Sequence, residues 1–397
     1  MRAVPIIFSG WNHRAIIAFC RFCKKSEIPA LIVAKNDSDP ILLTDYKDNI
    51  ILVRQESDLT LGLFQQVKAK AIELGYSNCV LMPTTEYLNR FYLSNRKALE
   101  DMGYRVPLCD ERLYEIISDK IEFETLCKKY GIATPKDYAE ITEANIPFVV
   151  KPQKYFFQKG TSVANVAEKP KLILSKEDFE IVKNVNPKEY YCQEFIGGEA
   201  YYLLYYFAKD GTYSVYSQKN LMQQHGGLSI VAAEASTIHE DPRTKLYTKM
   251  FLSVGFHGLV MVEFRDFKGQ FYMIEANPRF WGPSQLILDA GMDLFAKFAE
   301  DNGLIEGHSC NEYKPGIKYS WFGGVVDTSS LKEKVAFHNQ YTADDYLRDI
   351  SRWLDNDVYL RGDTLQVFEN ELNSKRGGYK QKCRKPVIFS LERRFAA

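Results

Sequence analysis

The chain has 397 residues, of which 46% are hydrophobic and 26% are charged. This composition is ordinary for globular proteins and argues against disorder, while the length favours two or three domains over one. Lysine and arginine together number 51, as do aspartate and glutamate, so the formal net charge is zero. A chain without net charge has no strong positive field that would recruit nucleic acid or an anionic membrane. We therefore expect small-molecule partners.

The N-terminal part of the chain alternates between strand and helix patterns. Strands and helices are predicted in turn at 4–8, 11–25, 30–34, 50–53, 61–74 and 79–82. Strands separated by helices predict a parallel sheet. The turn after the first strand, Phe-Ser-Gly-Trp-Asn, lacks a G-x-G-x-x-G sequence, so it does not support a dinucleotide site.

The eight cysteines are too scattered for a disulfide framework in a chain of this length. Cys20 and Cys23 form a C-x-x-C pair on the first helix, but no second pair follows at zinc-finger spacing, so we expect buried thiols instead of a metal site. The first apolar run is a strand and not a signal peptide, and no uninterrupted run of 18 apolar residues occurs. These features predict a soluble cytoplasmic protein.

Polar residues, Pro-Thr-Thr-Glu at 83–86, follow the strand at 79–82. They lie at the carboxyl end of a strand, where open α/β sheets bind ligands. Ordinary helix capping explains them as well, and Thr84 or Thr85 as the N-cap of the next helix is the preferred interpretation. A further helix is predicted from Ser118 as N-cap to Gly131.

A lysine interrupts the apolar strand at 148–152. Lys151 precedes the proline that ends this strand, and from there its ammonium group can point into a cleft and meet a phosphate. The segment 190–199 is extended, and Phe195 and Ile196 offer the apolar walls that an adenine needs beside backbone donors and acceptors. An edge strand that ends in a Gly-Gly turn explains the same segment.

A polar loop, Gln-Gln-His-Gly-Gly-Leu-Ser at 223–229, follows two predicted strands at 200–207 and 213–216. His225 in this loop is a candidate general base, although a histidine in a glycine-containing loop is more often a surface residue. A helix is predicted next, at 241–254.

The segment 261–283 contains two alternating strands joined by turn residues. The residues expected on the apolar faces are Val262, Phe264, Tyr272, Ile274 and Ala276. The residues expected on the opposite faces are Glu263, Arg265, Glu275, Asn277 and Arg279. If odd-numbered residues pair with odd-numbered ones, the two glutamates and the asparagine share one face within reach of a common ion.

These polar side chains suit a magnesium and phosphate site. The carboxylates of Glu263 and Glu275 and the amide oxygen of Asn277 are hard ligands, and Mg²⁺ takes its remaining ligands from phosphates and water. The guanidinium group of Arg279 suits a phosphoryl oxygen or a substrate carboxylate. From periodicity alone, a solvated sheet surface explains the same polar face.

The sequence Glu-Ala-Asn-Pro-Arg-Phe-Trp-Gly, preceded by Val-Glu-Phe, resembles the E-x-N-x-R metal-binding core of the ATP-grasp superfamily. Its continuation through Ala-Gly-Met-Asp resembles single-chain carboxylate-amine ligases related to carbamoyl-phosphate synthetase and D-aspartate ligase. The resemblance implies that Glu263, Glu275 and Asn277 are ligands of Mg²⁺, or alternatively of Mn²⁺. It also implies that Arg279 steadies the transferred phosphate and the acyl phosphate.

The resemblance covers residues 3–294 and implies an ATP site. Its nucleotide-binding residues would be Lys120, Lys151, Gly160, Thr161, Ser162, Gln193, Glu194, Phe195, Ile196 and Glu199. The two lysines would contact phosphates, 193–196 would hold adenine, and Glu199 would bind the ribose. The phosphate-covering loop departs from the family, because Lys154 and three aromatic residues precede its glycine. In the first domain, Glu86 is a candidate contact for the carboxylate substrate.

The resemblance implies a mixed α/β and α+β architecture with three parts. A parallel-sheet pre-ATP-grasp domain would span 1–115, a two-lobed ATP-grasp domain 116–310, and a C-terminal extension 311–397. The small lobe would span 116–192 and the large lobe 193–310.

The implied function is that of a ligase that joins a carboxylate to an amine through an acyl phosphate and releases ADP and phosphate. The alternatives are an ATP-grasp kinase or carboxylase, and a regulatory protein that binds nucleotide without turnover. The expected partners are the two small substrates, with no nucleic acid or membrane. Because dimers are frequent in the superfamily, a homodimer is one expectation.

Overall fold

The computed structural model describes residues 3–54, 58–153, 156–159, 162–165, 170–308 and 311–376. They form a five-stranded, a four-stranded and a seven-stranded sheet, together with a two-stranded hairpin. Strands and helices alternate early in the chain and antiparallel strands dominate later, which confirms the predicted mixture of α/β and α+β architecture. None of the helices formed by these residues is long and apolar enough to cross a membrane.

The N-terminal sheet contains β1 (Val4–Phe8), β2 (Leu31–Ala34), β3 (Ile50–Val53), β4 (Cys79–Leu81) and β5 (Tyr104–Arg105). All its pairings are parallel, in the order β3-β2-β1-β4-β5, as the alternation of strands and helices predicts. Its helices are α1 (His13–Lys25), α2 (Leu61–Glu73), α3 (Glu86–Ser94) and α4 (Arg96–Asp101). Thr85 is the N-cap of α3, because its hydroxyl accepts a hydrogen bond from the backbone N–H of Leu88.

Helix α1 buries one apolar face against the core. Cys20 and Cys23 lie on this face and are free thiols. Burial raises the pKa of the Cys20 thiol to about 12, so this side chain stays protonated at neutral pH. The expectation that Cys20 and Cys23 are buried thiols is therefore confirmed.

Two helices follow, α5 (Glu111–Ser118) and α6 (Lys120–Lys129). The prediction of a helix that begins with Ser118 as N-cap is wrong, because Ser118 ends α5. Asp119 caps α6 instead, since its carboxylate accepts hydrogen bonds from the backbone N–H groups of Ile121 and Glu122. This cap places Lys120 at the first position of a helix that packs against the strand Gln270–Asn277.

The next strands are β6 (Asp137–Tyr138), β7 (Phe148–Pro152), β8 (Phe156–Lys159), β9 (Ser162–Asn165), β10 (Lys171–Ile173) and β11 (Tyr190–Glu194). An antiparallel sheet has the order β10-β7-β11-β6, while β8 and β9 form the separate hairpin. Helix α7 (Lys176–Val182) packs in the small apolar core of this sheet. Lys151 therefore lies on the strand beside β11, opposite Tyr191.

The seven-stranded sheet contains β12 (Glu199–Phe207), β13 (Tyr213–Gln223), β14 (Ile230–Ser236), β15 (Gly258–Phe267), β16 (Gln270–Asn277), β17 (Lys318–Ser320) and β18 (Ala336–Phe337). Its order is β16-β15-β12-β13-β14-β17, with β18 paired to β13. The helices around it are α8 (Lys245–Ser253), α9 (Gln285–Asp289), α10 (Leu294–Asp301), α11 (Phe322–Ser330), α12 (Ala343–Arg348), α13 (Ile350–Asp355) and α14 (Leu365–Arg376).

The two faces of this sheet enter different cores, because successive residues of a strand point to opposite sides. Along β12, Tyr202 and Leu204 join the core that contains α1, α9 and α10. Leu203 and Tyr205 join the core that contains α8 and strands of the N-terminal sheet. The N-terminal sheet and its helices thus pack against both faces, which fixes α1 beside the face that carries Tyr202.

Candidate active site

The hairpin of β15 and β16 places the predicted metal ligands side by side. Glu263 lies directly opposite Glu275, and Met261 lies opposite Asn277. Odd-numbered residues therefore pair with odd-numbered ones at this end of the hairpin, and the two carboxylates share a face with the amide. The pairing of odd-numbered residues that a common ion site requires is therefore present.

A β-bulge follows immediately, because Phe264 faces Met273 and not Ile274. The extra residue on β16 reverses which side chains point into the core beyond this point. The buried side chains of β16 are Phe271, Met273 and Ala276, in place of the predicted Tyr272, Ile274 and Ala276. The expected apolar face of the second strand is therefore wrong except at Ala276.

A chain of polar contacts links the E-x-N-x-R residues to α6. Lys120 Nζ lies 2.9 Å from Glu275 Oε2. Asn277 Nδ2 donates to Glu275 Oε1 at 2.9 Å, and Arg279 Nη2 donates to Asn277 Oδ1 at 2.9 Å. The predicted phosphate lysine, two predicted metal ligands and the predicted catalytic arginine thus form one contiguous group.

The two glutamates differ in their electrostatic surroundings. Burial raises the pKa of Glu263, although Arg265 lies 3.7 Å away and opposes this shift. Burial also acts to raise the pKa of Glu275, but the charge and hydrogen bond of Lys120 outweigh it and hold the value at about 2. One carboxylate is thus firmly ionised beside a second whose ionisation is costly, an arrangement that a divalent cation between them would stabilise.

The donor set fits magnesium. In the described part of the chain, no three His, Cys, Asp or Glu side chains converge as a complete metal cage. Two carboxylates and one amide oxygen converge here instead, and Mg²⁺ is commonly held by one or two carboxylates together with phosphate oxygens and water. The residues present therefore suit an ion that arrives with a nucleotide.

Lys151 is a buried cation that faces the same group. Its side chain is only 7% exposed, and its Nζ donates to Gln193 Oε1 at 2.6 Å. Burial and the nearby charge of Lys120 lower its pKa to about 8, against the opposing effect of Glu275. Among the residues that the structure describes, no carboxylate forms an ion pair with Lys151, so its charge is available to a ligand.

The side chain of Gln193 connects Lys151 to two acidic residues. Its Nε2 donates to Glu124 Oε2 at 2.6 Å and to Asp137 Oδ1 at 2.8 Å, while its Oε1 accepts from Lys151. Its side chain thus positions the Lys151 ammonium group. Glu124, on α6, has no distinguishing local pattern in the sequence, and it is connected to the site by its contact with Gln193 and by the effect of its charge on Lys151.

The predicted adenine segment leaves β11 and enters β12. The backbone N–H of Glu194 donates to Lys136, and Ile196 is buried. No backbone hydrogen bond joins 195–198 to any other described residue. Unpaired backbone groups beside a buried apolar side chain are what an adenine edge requires.

Glu199 begins β12, where its carboxylate accepts a hydrogen bond from the hydroxyl of Tyr201. Gly198 before it has φ +83°, and a Cβ there would lie 2.2 Å from the backbone oxygen of Asp266. Only glycine fits this close approach, so the segment is held tightly against β15.

The structure describes one of the three residues that are predicted to cover the phosphates. Ser162 lies on β9, paired with Lys159 of β8. Gly160 and Thr161 lie outside the described residues. The roles assigned to these three residues therefore stay predictions.

Turns of the N-terminal sheet contact the E-x-N-x-R segment directly. The carbonyl oxygen of Phe280 accepts hydrogen bonds from Arg279 Nη1 and from Asn12 Nδ2, both at 3.0 Å. The same Asn12 side chain donates to the carbonyl of Thr84. Glu86 is engaged elsewhere, since its carboxylate accepts from Arg90 and from Tyr114. These contacts give Glu86 a structural role in this conformation.

Tyr202 and Arg14 join the site although no local sequence pattern marks them. Tyr202 lies opposite Glu263 in the sheet. Burial raises the pKa of its hydroxyl well above the ordinary value, and the charges of Glu263 and Glu275 add to this shift, so the group is a neutral O–H. The side chain of Arg14 reaches from α1 to Ile230, whose carbonyl accepts from Arg14 Nη1 at 2.9 Å. Only strand register and domain packing identify these two residues.

His338 and His225 differ in their surroundings. His338 bonds to Arg265 and Gln223, and burial followed by the charge of Arg265 lowers its pKa to about 3. It is therefore neutral and orients Arg265. His225, the candidate general base, is exposed in its loop. Its assignment stays a prediction.

No family model matches the chain, and no curated protein matches its sequence. Solved structures do resemble it. Biotin carboxylase from Campylobacter jejuni has a TM-score of 0.57 at 14% identity, over 80% of this chain and 74% of that one. The biotin carboxylase domain of Hydrogenobacter thermophilus 2-oxoglutarate carboxylase, solved with MgADP and bicarbonate, has a TM-score of 0.56 at 14% identity, over 80% and 73%.

A third similar structure is N5-carboxyaminoimidazole ribonucleotide synthetase from Thermus thermophilus. Its TM-score is 0.53 at 12% identity, over 79% of this chain and 81% of that one. The structural similarity establishes a common fold, whereas sequence identities this low leave the substrates open.

Proposed function

We propose, from the ATP-grasp fold that this chain has, that the protein is an ATP-dependent ligase that joins a carboxylate to an amine. The products would be an amide or peptide, ADP and phosphate. The observation that carries the proposal is the contiguous group of Lys120, Glu275, Asn277 and Arg279, with Lys151 facing it. Two cations, hard oxygen ligands and an arginine together match the needs of phosphoryl transfer.

Each part of the group has a role in this proposal. Lys120 and Lys151 would bind nucleotide phosphates, 193–196 would hold the adenine, and Glu199 would bind the ribose. Gly160, Thr161 and Ser162 would cover the phosphates. Glu263, Glu275 and Asn277 would hold Mg²⁺, which when bound neutralises phosphate charge and orients the transferred group. The domain boundaries at 115 and 310 belong to the same proposal.

The reaction would proceed in two displacements. A carboxylate oxygen attacks the γ-phosphorus of ATP, so that an O–P bond forms, the bond to the β-phosphate oxygen breaks and ADP leaves. The amine nitrogen then attacks the acyl carbon, a C–N bond forms, the C–O bond breaks to release phosphate, and the nitrogen loses one proton to the departing phosphate or to water. Arg279 neutralises negative charge on the carboxylate and on the tetrahedral intermediate, while Tyr202 offers a neutral O–H donor at the same face.

A carboxylase is the second candidate, because two of the similar structures are biotin carboxylases and one was solved with bicarbonate. In that case bicarbonate would be the phosphorylated carboxylate and the chemistry at the arginine would be unchanged. A kinase, or a regulatory protein without turnover, would use only the nucleotide part of the site. A cytoplasmic location and a homodimer, the assembly named for the Hydrogenobacter domain, complete the proposal.

The test is ADP release measured over pairs of amines and carboxylic acids, with bicarbonate among the acids. With the active carboxylate labelled by ¹⁸O, a ligase of this kind transfers one labelled oxygen into inorganic phosphate. Label in AMP, or release of pyrophosphate, would show carboxyl adenylation and overturn the proposal. A phosphorylated product that needs no amine would favour the kinase alternative.

A further inference from the structure

Residues 336–339, in the predicted C-terminal extension, dock onto the sheet that carries the metal motif. Strand β18 pairs with the end of β13, and the backbone N–H of His338 donates to a carbonyl of β13 at 3.0 Å. The side chain of Asn339 accepts from the N–H of Ala200 at 2.7 Å, and it donates to the carbonyls of Ala200 and Asn220 at 3.1 and 2.7 Å. Backbone and side-chain hydrogen bonds thus hold this segment beside the start of β12.

The side chain of His338 bridges β15 and β13, which are separated by β12 in the sheet. Its Nδ1 accepts a hydrogen bond from Arg265 Nη1 of β15 at 3.2 Å, and its Nε2 lies 3.0 Å from Gln223 Oε1 of β13. A guanidinium group can only donate, so the ring proton is on Nε2, which donates to Gln223. Burial, followed by the charge of Arg265, lowers the pKa of His338 to about 3, so Nδ1 keeps its lone pair at neutral pH.

Gln223 anchors the other side of the His338 ring. It is 4% exposed, and its Nε2 donates to the carbonyl of Leu228 at 2.9 Å, so its Oε1 is turned towards His338. The ring therefore has a partner at each nitrogen, which fixes the orientation in which it meets Arg265. Metal ligands are commonly oriented by neighbours of this kind, which do not touch the ion themselves.

Arg265 in turn contacts the carboxylate of Glu263. Its Nη2 lies 3.7 Å from Glu263 Oε1, and the two side chains are only 13% and 9% exposed. Among the described residues, Arg265 is the one ion-pair partner of Glu263, and none donates a hydrogen bond to this carboxylate. Glu275 differs, because it accepts a hydrogen bond from Asn277 and also contacts Lys120. The position of the Glu263 carboxylate therefore depends on where Arg265 is held.

We propose that His338 is a positioning residue of the proposed reaction, because through Arg265 it holds the Glu263 carboxylate where that group can bind Mg²⁺. The inference rests on the proposed function, since it takes Glu263 as a metal ligand. It also gives the predicted C-terminal extension a role in the active site. Because His338 acts through Arg265, its loss should weaken metal binding and leave the binding of metal-free nucleotide unchanged.

The test measures ADP affinity by calorimetric titration of the full chain, once with excess Mg²⁺ and once with EDTA. The metal enhancement is the factor by which Mg²⁺ strengthens ADP binding, and a general loss of nucleotide affinity cancels in this factor. The wild type should show such an enhancement. His338→Gln keeps a donor near the place of Nε2 but offers no acceptor to Arg265, so the metal enhancement should fall by roughly 10-fold or more.

His338→Asn makes the complementary change. The oxygen of its amide takes the place of Nδ1 and can accept from Arg265, while the contact with Gln223 is lost. This variant should therefore retain most of the metal enhancement.

Two further substitutions test the path and the fold. Arg265→Met removes the residue through which His338 acts, so the double variant with His338→Gln should have no lower metal enhancement than Arg265→Met alone. The control is His239→Gln, because His239 is a half-buried histidine on the same sheet that bonds to Ser217. It should leave the metal enhancement unchanged, and melting curves establish that each variant is folded.

The outcomes distinguish this inference from the proposed function. If His338→Gln and His338→Asn change the metal enhancement equally, His338 only docks its segment and the inference is wrong. If the losses from His338→Gln and Arg265→Met add in full, His338 does not act through Arg265 and the inference is also wrong. If Mg²⁺ leaves the ADP affinity of the wild type unchanged, the metal assignment of the proposed function fails, and the inference fails with it. If the predicted pattern appears but no pair of carboxylate and amine supports ADP release, the ligase reaction fails and the role of His338 stands.

Discussion

Replacing Lys151 by methionine should separate nucleotide binding from stability. The side chain is 7% exposed, and its ammonium group bonds to Gln193 without an ion pair among the described residues. Methionine has a similar length and no charge, so it fills the space while removing the cation. We expect ATP affinity to fall by roughly 10- to 100-fold, because one charge-assisted hydrogen bond to a phosphate contributes about 1.5–3 kcal/mol.

The unliganded protein should respond in the opposite direction. Burial lowers the pKa of Lys151 from 10.5 to about 8, which corresponds to a penalty of about 3 kcal/mol at neutral pH, at about 1.4 kcal/mol for each pH unit. Methionine removes this penalty but leaves Gln193 Oε1 without its donor, at a cost of about 1–3 kcal/mol. The variant should therefore be as stable as the wild type at pH 7, or more stable by up to about 2 kcal/mol.

The pH dependence gives a second readout. The folded-state pKa of Lys151 is lower than its unfolded value, so the penalty is present in full well below pH 8 and fades as the pH rises from about 8 towards 10.5. The difference in stability between variant and wild type should shift in favour of the wild type over this window. Chemical denaturation at pH 7 and at higher pH, with calorimetric titration of MgATP at pH 7, measures both effects.

Lys68 offers a matched control, because it is a buried lysine whose ammonium group donates to two backbone carbonyls and has no predicted role in nucleotide binding. Its Nζ donates to the carbonyls of Ser77 and Gly103 at 2.7 and 2.8 Å. Lys68→Met should destabilise the fold and leave ATP affinity unchanged. The reasoning about Lys151 would be refuted by a variant that loses about 3–5 kcal/mol, as a broken buried ion pair does, while it binds ATP normally.

Three further substitutions test the remaining assignments. Glu275→Gln should lower Mg²⁺-dependent ATP turnover by at least about 100-fold, because it removes a hard anionic ligand. The control Glu73→Gln, at an exposed position, should leave turnover unchanged. Equal turnover in the two variants would contradict the metal assignment. Arg279→Lys keeps the charge but loses the planar fork, so kcat should fall far more than ATP affinity in steady-state assays. Gly198→Ala and Gly211→Ala both add a side chain at positive φ, but only the first meets the β15 backbone, so only Gly198→Ala should also weaken ATP binding in a calorimetric titration.

The sequence alone predicted a local feature correctly where one short segment contains all the residues that produce it. The acidic and amide residues of Glu-Ala-Asn-Pro-Arg, the threonine cap of α3 and the apolar helix with Cys20 and Cys23 are of this kind. Propensity, capping and periodicity act over a few residues, so a single sequence contains them. The parallel N-terminal sheet followed for the same reason, since alternating strands and helices leave little other choice.

Tertiary structure decided which of these residues meet and which way they point. The bulge after Glu263 reverses the buried face of β16, and its position depends on pairing across two strands, which no residue on β16 alone specifies. The contacts of Lys120 with Glu275 and of Gln193 with Lys151 join elements far apart in sequence. Arg14 enters the site only because α1 packs against the seven-stranded sheet, and long-range packing of this kind follows from the sum of many buried contacts, which local pattern does not encode.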